Sequence, residues 1–323
     1  MFGKLMNNYY YGKSGKGDYR KEDLPHNRWQ LFWEVLRVRF FSLLKLNLVY
    51  MLCWLPAIAV ITVTGMSVLS NLTVILENTA LTAEEMSRQA SELTNGMLYT
   101  MLVLLIPCLA ITGPFTAGMT YVVRNWARDE HSFIWSDFKD AMKENWKQAL
   151  VVSIVTGLMP VLVYICYNFY AGMASGSMIA MIPQMFVLLV GLLWVLALPY
   201  FYPLMITYKL RLRDLFRDAF LLAVARLPMN IAMRLIQAIP LVIGFFVIFY
   251  VNPMWGMLGL VMYYVLIGFT LSRFGACSYI VGVFDRYINK NIEGVEIDRG
   301  IYREDEDDDE EEDEEDEDDS VQE

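Results

Sequence analysis

Residues 149–208 run for 60 positions without an Asp, Glu, Lys, Arg or His. No other feature restricts the fold so tightly. A hydrocarbon core ~30 Å thick takes about 20 apolar residues of helix, and a Lys, Arg or Asp at the centre of such a helix costs roughly 2.5 to 3.5 kcal/mol. As a single helix the run would be about 90 Å long at ~1.5 Å per residue, so it has to fold back. The small, polar patch AGMASGSM (171–178) and Pro183 supply the reversal, giving two spans near 149–170 and 184–208.

Three more runs are equally free of charge. Residues 46–76 and 93–123 are 31 long, each one span with interfacial trim. Residues 235–272 carry Asn252-Pro253 in their middle, so two spans fit better than one. The second of these is short unless Arg273 reaches to the interface and the helix continues through Phe274 to Ile280. The composition agrees with this count, since 56% of residues are hydrophobic, above the share usual in soluble globular proteins. The fold class is therefore all-α, a polytopic membrane protein with six transmembrane helices and cytoplasmic amphipathic connectors. Residues 1–40 form a cytoplasmic N-terminal segment with an interfacial helix, 41–285 the six-helix domain, and 286–323 a cytoplasmic tail.

Of the 26 basic residues, 25 fall on one side of this map; Arg88, in the polar outer loop 77–96, is the exception. Cationic loops stay in the cytoplasm, so both termini are expected there, in a bacterial cytoplasmic membrane. No cleavable signal peptide is expected, because the first apolar run begins only near position 41. The net charge of −10 is a property of the tail. Residues 304–319 are an unbroken block of 16 acids, and with Glu323 hold 17 of the 36. The other 19 acids face 26 basic residues, leaving residues 1–303 at +7. Like charge at that density cannot collapse, so the tail is expected to be disordered from 304.

The polar segments between the runs carry the candidate contacts. Trp135, Phe138, Met142, Trp146 and Ala149 recur at helical spacing, with Asp137, Lys139, Asp140, Lys143, Glu144 and Lys147 opposite. That pattern predicts an amphipathic helix lying in the membrane interface, aromatic residues among the headgroups and lysines toward anionic lipid. Residues 209–228 repeat the theme: Phe216-Arg217-Asp218-Ala219-Phe220 parallels Phe138-Lys139-Asp140-Ala141-Met142. The likeness reads either as a duplicated helix hairpin or as coincidence between two basic amphipathic helices. A third amphipathic segment, 27–41, aligns Trp29, Phe32, Trp33, Leu36 and Phe40 along one stripe. Arg124, Trp135, Asp137, Phe138, Trp146, Phe216 and Arg217 are the candidate partner contacts. Gly113, Pro114 and Ala117 are the candidate helix-packing residues, the Gly-x-x-x-Ala pair allowing close approach of another helix.

Chemistry-bearing constellations are sparse. His26 and His131 sit in separate segments and make neither zinc spacing nor a triad, and no phosphate-binding Gly-rich loop with Lys is present. Cys53, Cys108, Cys166 and Cys277 lie in or beside apolar runs and read as small hydrophobes. No cofactor, metal or nucleic acid is expected, and no enzymatic activity. Charge at hydrocarbon depth, the usual mark of a proton or ion path, is missing from the first five spans.

Four blocks carry a resemblance: Leu46-Asn47-Leu48-Val49-Tyr50-Met51-Leu52-Cys53-Trp54-Leu55-Pro56; Gly113-Pro114-Phe115-Thr116-Ala117-Gly118 leading to Tyr121-Val122-Val123-Arg124; Trp135-Ser136-Asp137-Phe138; and Pro199-Tyr200-Phe201-Tyr202-Pro203-Leu204. In order and spacing over residues 40–285 the chain resembles the YesL-like family of bacterial membrane proteins, domain of unknown function 624. The outer loop 77–96 and the acidic tail depart from the family's compact form. The resemblance implies an accessory role in carbohydrate uptake, with the bilayer and other membrane proteins such as a sugar transporter as partners. An importer permease-like subunit is the alternative. It implies no catalytic residue.

Overall fold

The computed structural model describes residues 24–78, 81–174 and 178–302. The acidic block, the first 23 residues and the middle of the 171–178 reversal lie outside them. Every regular element among the described residues is helical, and six helices are long and apolar enough to cross a membrane. A short helix α1 (Arg28–Val38) precedes α2 (Phe40–Glu77), α3 (Ala83–Trp126), α4 (Ser136–Ala174) and α5 (Met181–Thr207). After α6 (Leu212–Ala225) come α7 (Leu227–Tyr250), α8 (Pro253–Tyr263) and α9 (Phe269–Tyr287), the last two joined by a π-helical turn, Tyr264–Gly268. The chain is a multi-pass membrane protein. Its α1, the α3–α4 turn, α6 and the segment after α9 gather at one end, called here the connector end.

Two expectations about the connectors need correction. The segment after span two is not a separate helix lying in the interface: α4 starts at Ser136 and runs unbroken for 39 residues into the third span. Phe138 is accordingly no lipid anchor, being only 3% exposed and packed with Phe115 at 6.4 Å between ring centres. The cause is Gly118, where any Cβ would press on the Phe138 carbonyl, so α3 and α4 approach without a side chain between them. The outer loop 77–96 is likewise mostly helix. Thr82 and Glu85 form a reciprocal capping box, the Glu85 amide donating to Thr82 Oγ1 at 3.3 Å and the Thr82 amide to Glu85 Oε2 at 2.9 Å. Two orphan donors are satisfied and α3 starts at Ala83.

Breaks inside the membrane helices are answered by polar side chains from other helices. Pro114 has no N–H, so the Ala110 carbonyl one turn earlier is left over; Ser153 Oγ of α4 lies 3.0 Å from it. The π turn leaves carbonyls unpaired at 264 and 265. Asn47 of α2, fully buried, donates Nδ2 to both at 2.9 and 2.8 Å, and its Oδ1 accepts from the Thr270 amide at 2.9 Å. In lipid no water can take these partners' place.

Candidate functional site

The connector end is built on a polar network that ties both ends of the described chain together. Asn27 caps α1, its Oδ1 accepting from the Trp29 and Gln30 amides at 3.1 and 2.9 Å. That cap aims Arg28 at α9, where its Nη2 pairs with Asp285 and, at 3.2 Å, with Asp298. Asp285, 3% exposed, also accepts from Asn289 Nδ2 at 2.6 Å, and the Tyr208 hydroxyl donates to Asn289 Oδ1 at 2.6 Å. Burial, reinforced by the negative charge of Asp285, pushes the Tyr208 phenol up to about 12. Tyr208 is therefore a neutral hydrogen-bond donor at physiological pH. The Tyr302 amide closes the ring on the Pro25 carbonyl at 2.9 Å.

A second acid, Glu130, collects cations at the α3–α4 turn. Arg128 pairs with it at 2.9 Å, Arg299 at 3.6 Å and Arg124 at 3.8 Å. Arg124 also donates to Asn125 Oδ1 at 2.8 Å. Its side chain is only 16% exposed, so it faces the turn rather than a partner. Asp137 works locally too, accepting from Ser132 Oγ at 2.8 Å and the Phe133 amide at 2.9 Å, which fixes the entry to α4. Gly300, at φ +81, reaches the Arg128 carbonyl in a conformation that L side chains rarely adopt.

The remaining candidates divide by face. Trp135 and Trp146 are outward, 65% and 49% exposed. Phe216 turns inward against Phe201 and Trp194, at 5.0 and 6.0 Å between ring centres. Each of Phe138 and Phe216 thus packs on the span before it, although α6 is a separate helix and α4 is not. Arg217 has a side chain 70% exposed beside Asp218. Gly113 lies against α4 so closely that a Cβ would overlap Ser153 Oγ and the Ala149 carbonyl; Ala117 is fully buried and Pro114 half-buried one residue from Gly113. Trp135, Trp146 and Arg217 are brought to one end but not into one cluster.

Sequence reading missed a cleft of about 620 Å³ between α1, α7 and α9. Arg28, Arg226, Arg286 and Lys290 line it together with Asp285 and Asp298. Arg28 engages both acids, and Arg226, Arg286 and Lys290 have no ion-pair partner among the described residues. Cations 60 residues apart in the chain carry no spacing signal that would have joined them. Above the cleft Asn230, fully buried, accepts from the Tyr200 and Tyr279 hydroxyls at 2.6 and 3.1 Å and donates to the α6 carbonyls of Leu222 and Ala223. It locks the end of α6 to α5 and α9.

Residues 93–167 match the family model described as "Protein of unknown function, DUF624". Over these residues the chain is similar to the DUF624 family. The matched stretch is the α3–α4 hairpin from within α3 almost to the end of α4, including the Gly113 and Gly118 approaches and the Glu130 turn. The chain is also similar to "Uncharacterized protein YesV" of Bacillus subtilis (strain 168), 29% identical over 133 residues, which is 41% of this chain and 62% of that protein. The chain thus spans under two thirds of that relative's length. No solved structure matches the chain. The DUF624 match over 93–167 agrees with the resemblance carried by the four sequence blocks, one of which contains Asn47 and another Gly113.

Proposed function

We propose that this protein is a non-enzymatic accessory component of carbohydrate uptake, resident in the bacterial cytoplasmic membrane with both termini in the cytoplasm. It acts on another membrane protein, such as a sugar transporter, through the connector end. The observation that carries this reading is α6. Its inner face is sealed into the core by Leu215, Ala219 and Leu222, at most 4% exposed. Its outer stripe, Arg213, Arg217, Leu221 and Val224 at helical spacing, is exposed, Leu221 at 67% and Val224 at 54%, with Arg217 turned outward while paired with Asp218. Two cations followed by two aliphatic side chains make a surface for a partner helix with acidic and apolar residues. The concentration of basic residues at this end supports a cytoplasmic location. In a deletion strain growing on oligosaccharides, wild type is expected to restore uptake, while Arg217→Glu combined with Leu221→Ser, present at equal membrane abundance, restores little. Equal restoration by both would overturn the docking role.

One observation favours a second reading, the importer permease-like subunit: α6 is a short helix of 14 residues standing between two spans, where it could be gripped by an ATPase. Sugar uptake into proteoliposomes holding only this chain and a candidate ATPase would favour it over the accessory role.

A further inference from the structure

Two arginines stand within the helix bundle with no carboxylate among the described residues to meet them. Arg234 lies two turns inside α7 and Arg273 one turn inside α9, and no Asp or Glu occurs between Asp218 and Asp285. The fifth spanning helix, α7, begins at Leu227, earlier than the charge-free run beginning at 235 that marks its span in the sequence, and so carries Arg234 inward, correcting the expectation of a span without charge. Both arginines line one cavity of about 150 Å³ that no acid lines. Arg234 is partly occupied. Its Nε and Nη2 donate to the Val195 carbonyl at 2.9 and 2.5 Å, the carbonyl freed by Pro199, and Nη1 donates to Gln237 Oε1 at 2.9 Å. A guanidinium has five N–H donors, so two remain. Arg273 lies over the Tyr202 ring at 5.4 Å and donates no hydrogen bond to any described residue.

Two like charges around one cavity repel in a low-dielectric surround, and no carboxylate among the described residues neutralises them, an arrangement that an anion would complete. The cavity is smaller than the ~300 to 1,000 Å³ that encloses a whole small molecule. Only the charged end of a ligand enters, and the rest lies next door. What adjoins, across Gln237 and Ser272, is a groove of about 580 Å³ walled by Trp29, Trp33, Ile236 and Pro240, open on the lipid-facing side where Ile236 is 65% exposed. We propose that cavity and groove together bind an anionic amphiphile from the bilayer, a phosphate-bearing lipid whose oxyanion sits between Arg234 and Arg273 and whose hydrocarbon fills the groove. Guanidinium pairs with such oxyanions bidentately. The proposal is independent of the docking role of α6.

The test uses the full chain purified in dodecyl maltoside, titrated with phosphatidylglycerol, with phosphatidylcholine and with sodium phosphate alone, binding being read by native mass spectrometry. Phosphatidylglycerol is expected to bind at least ~10-fold more tightly than the other two, and Arg273→Gln to weaken it ~10- to 100-fold, the range for a hydrogen bond to a charged group. Arg88→Gln, at the opposite end, is expected to leave it unchanged. Since Arg273 holds no other residue by hydrogen bonds, its loss should spare the fold. If that variant is nevertheless aggregated, Ile236→Trp, which fills the groove from its lipid side, is expected to give the same loss. Undiminished phosphatidylglycerol binding in the folded variant, or free phosphate binding as tightly as the lipid, would overturn the proposal.

Discussion

Asn47 bridges two carbonyls and one amide that the π turn of the sixth span leaves without partners. Replacing it with Ala removes three hydrogen bonds, each about 0.6 kcal/mol on average inside a membrane, so Asn47→Ala is expected to cost about 2 kcal/mol and lower the melting temperature in detergent by several degrees. At Gly113 an added methyl meets the Ala149 backbone, which cannot swing away, whereas at Gly65 it meets nothing within 4 Å. Gly113→Ala is therefore expected to destabilise by about 1 to 3 kcal/mol and Gly65→Ala not at all, in the same melting assay. Tyr208 sets a pH dependence. Its folded value, about 12, lies above the ordinary 10, so its contribution is complete below pH 10 and is lost as pH rises toward 12. Tyr208→Phe is expected to flatten the fall in melting temperature across that window; an unchanged slope would remove Tyr208 from the network. In the sequence Asn47 was visible only as one of two amides in an apolar run, because the carbonyls it serves lie more than 200 residues away.

Helix α1 depends on Arg28 reaching Asp285, a pair whose carboxylate side chain is 4% exposed. Removing one partner of such a pair leaves a buried charge and costs about 3 to 5 kcal/mol, so Arg28→Ala is expected to release α1. Limited proteolysis should then cut near 38–39 well before any span is touched; an unchanged cleavage pattern would show that Leu31 and Val35 alone hold the helix. At this scale the spans were legible, because the absence of charge over 20 or more residues is a local property. Their ends were not. The start of α3 was written in Thr82-x-x-Glu85 yet lay in a stretch polar enough to read as loop. The continuity of α4 depended on Gly118 admitting the Phe138 backbone, a contact between distant positions. For the same reason Phe138, chosen as a surface anchor by helical spacing alone, is core, and Arg124 is held by Glu130.

The whole molecule follows from one alternation, in which each long helix returns the chain to the end it left, so that residues 25 and 302 meet by a hydrogen bond and the basic connectors share a face. The candidate site was legible only in part. Trp135, Trp146 and Arg217 are outward at that face, but the basic cleft and the arginine cavity were assembled by α7 and α9 from residues with no common motif. The account stands on the six crossings that bring those elements together. Single cysteines placed at Glu92 and at Arg217 in a chain whose four native cysteines are replaced by Ala would report on them directly, read with a membrane-impermeant maleimide on intact cells. Labelling of position 92 alone, with 217 reacting only after the cells are opened, is the predicted result. Labelling of both or neither in intact cells, or of 217 alone, would contradict it.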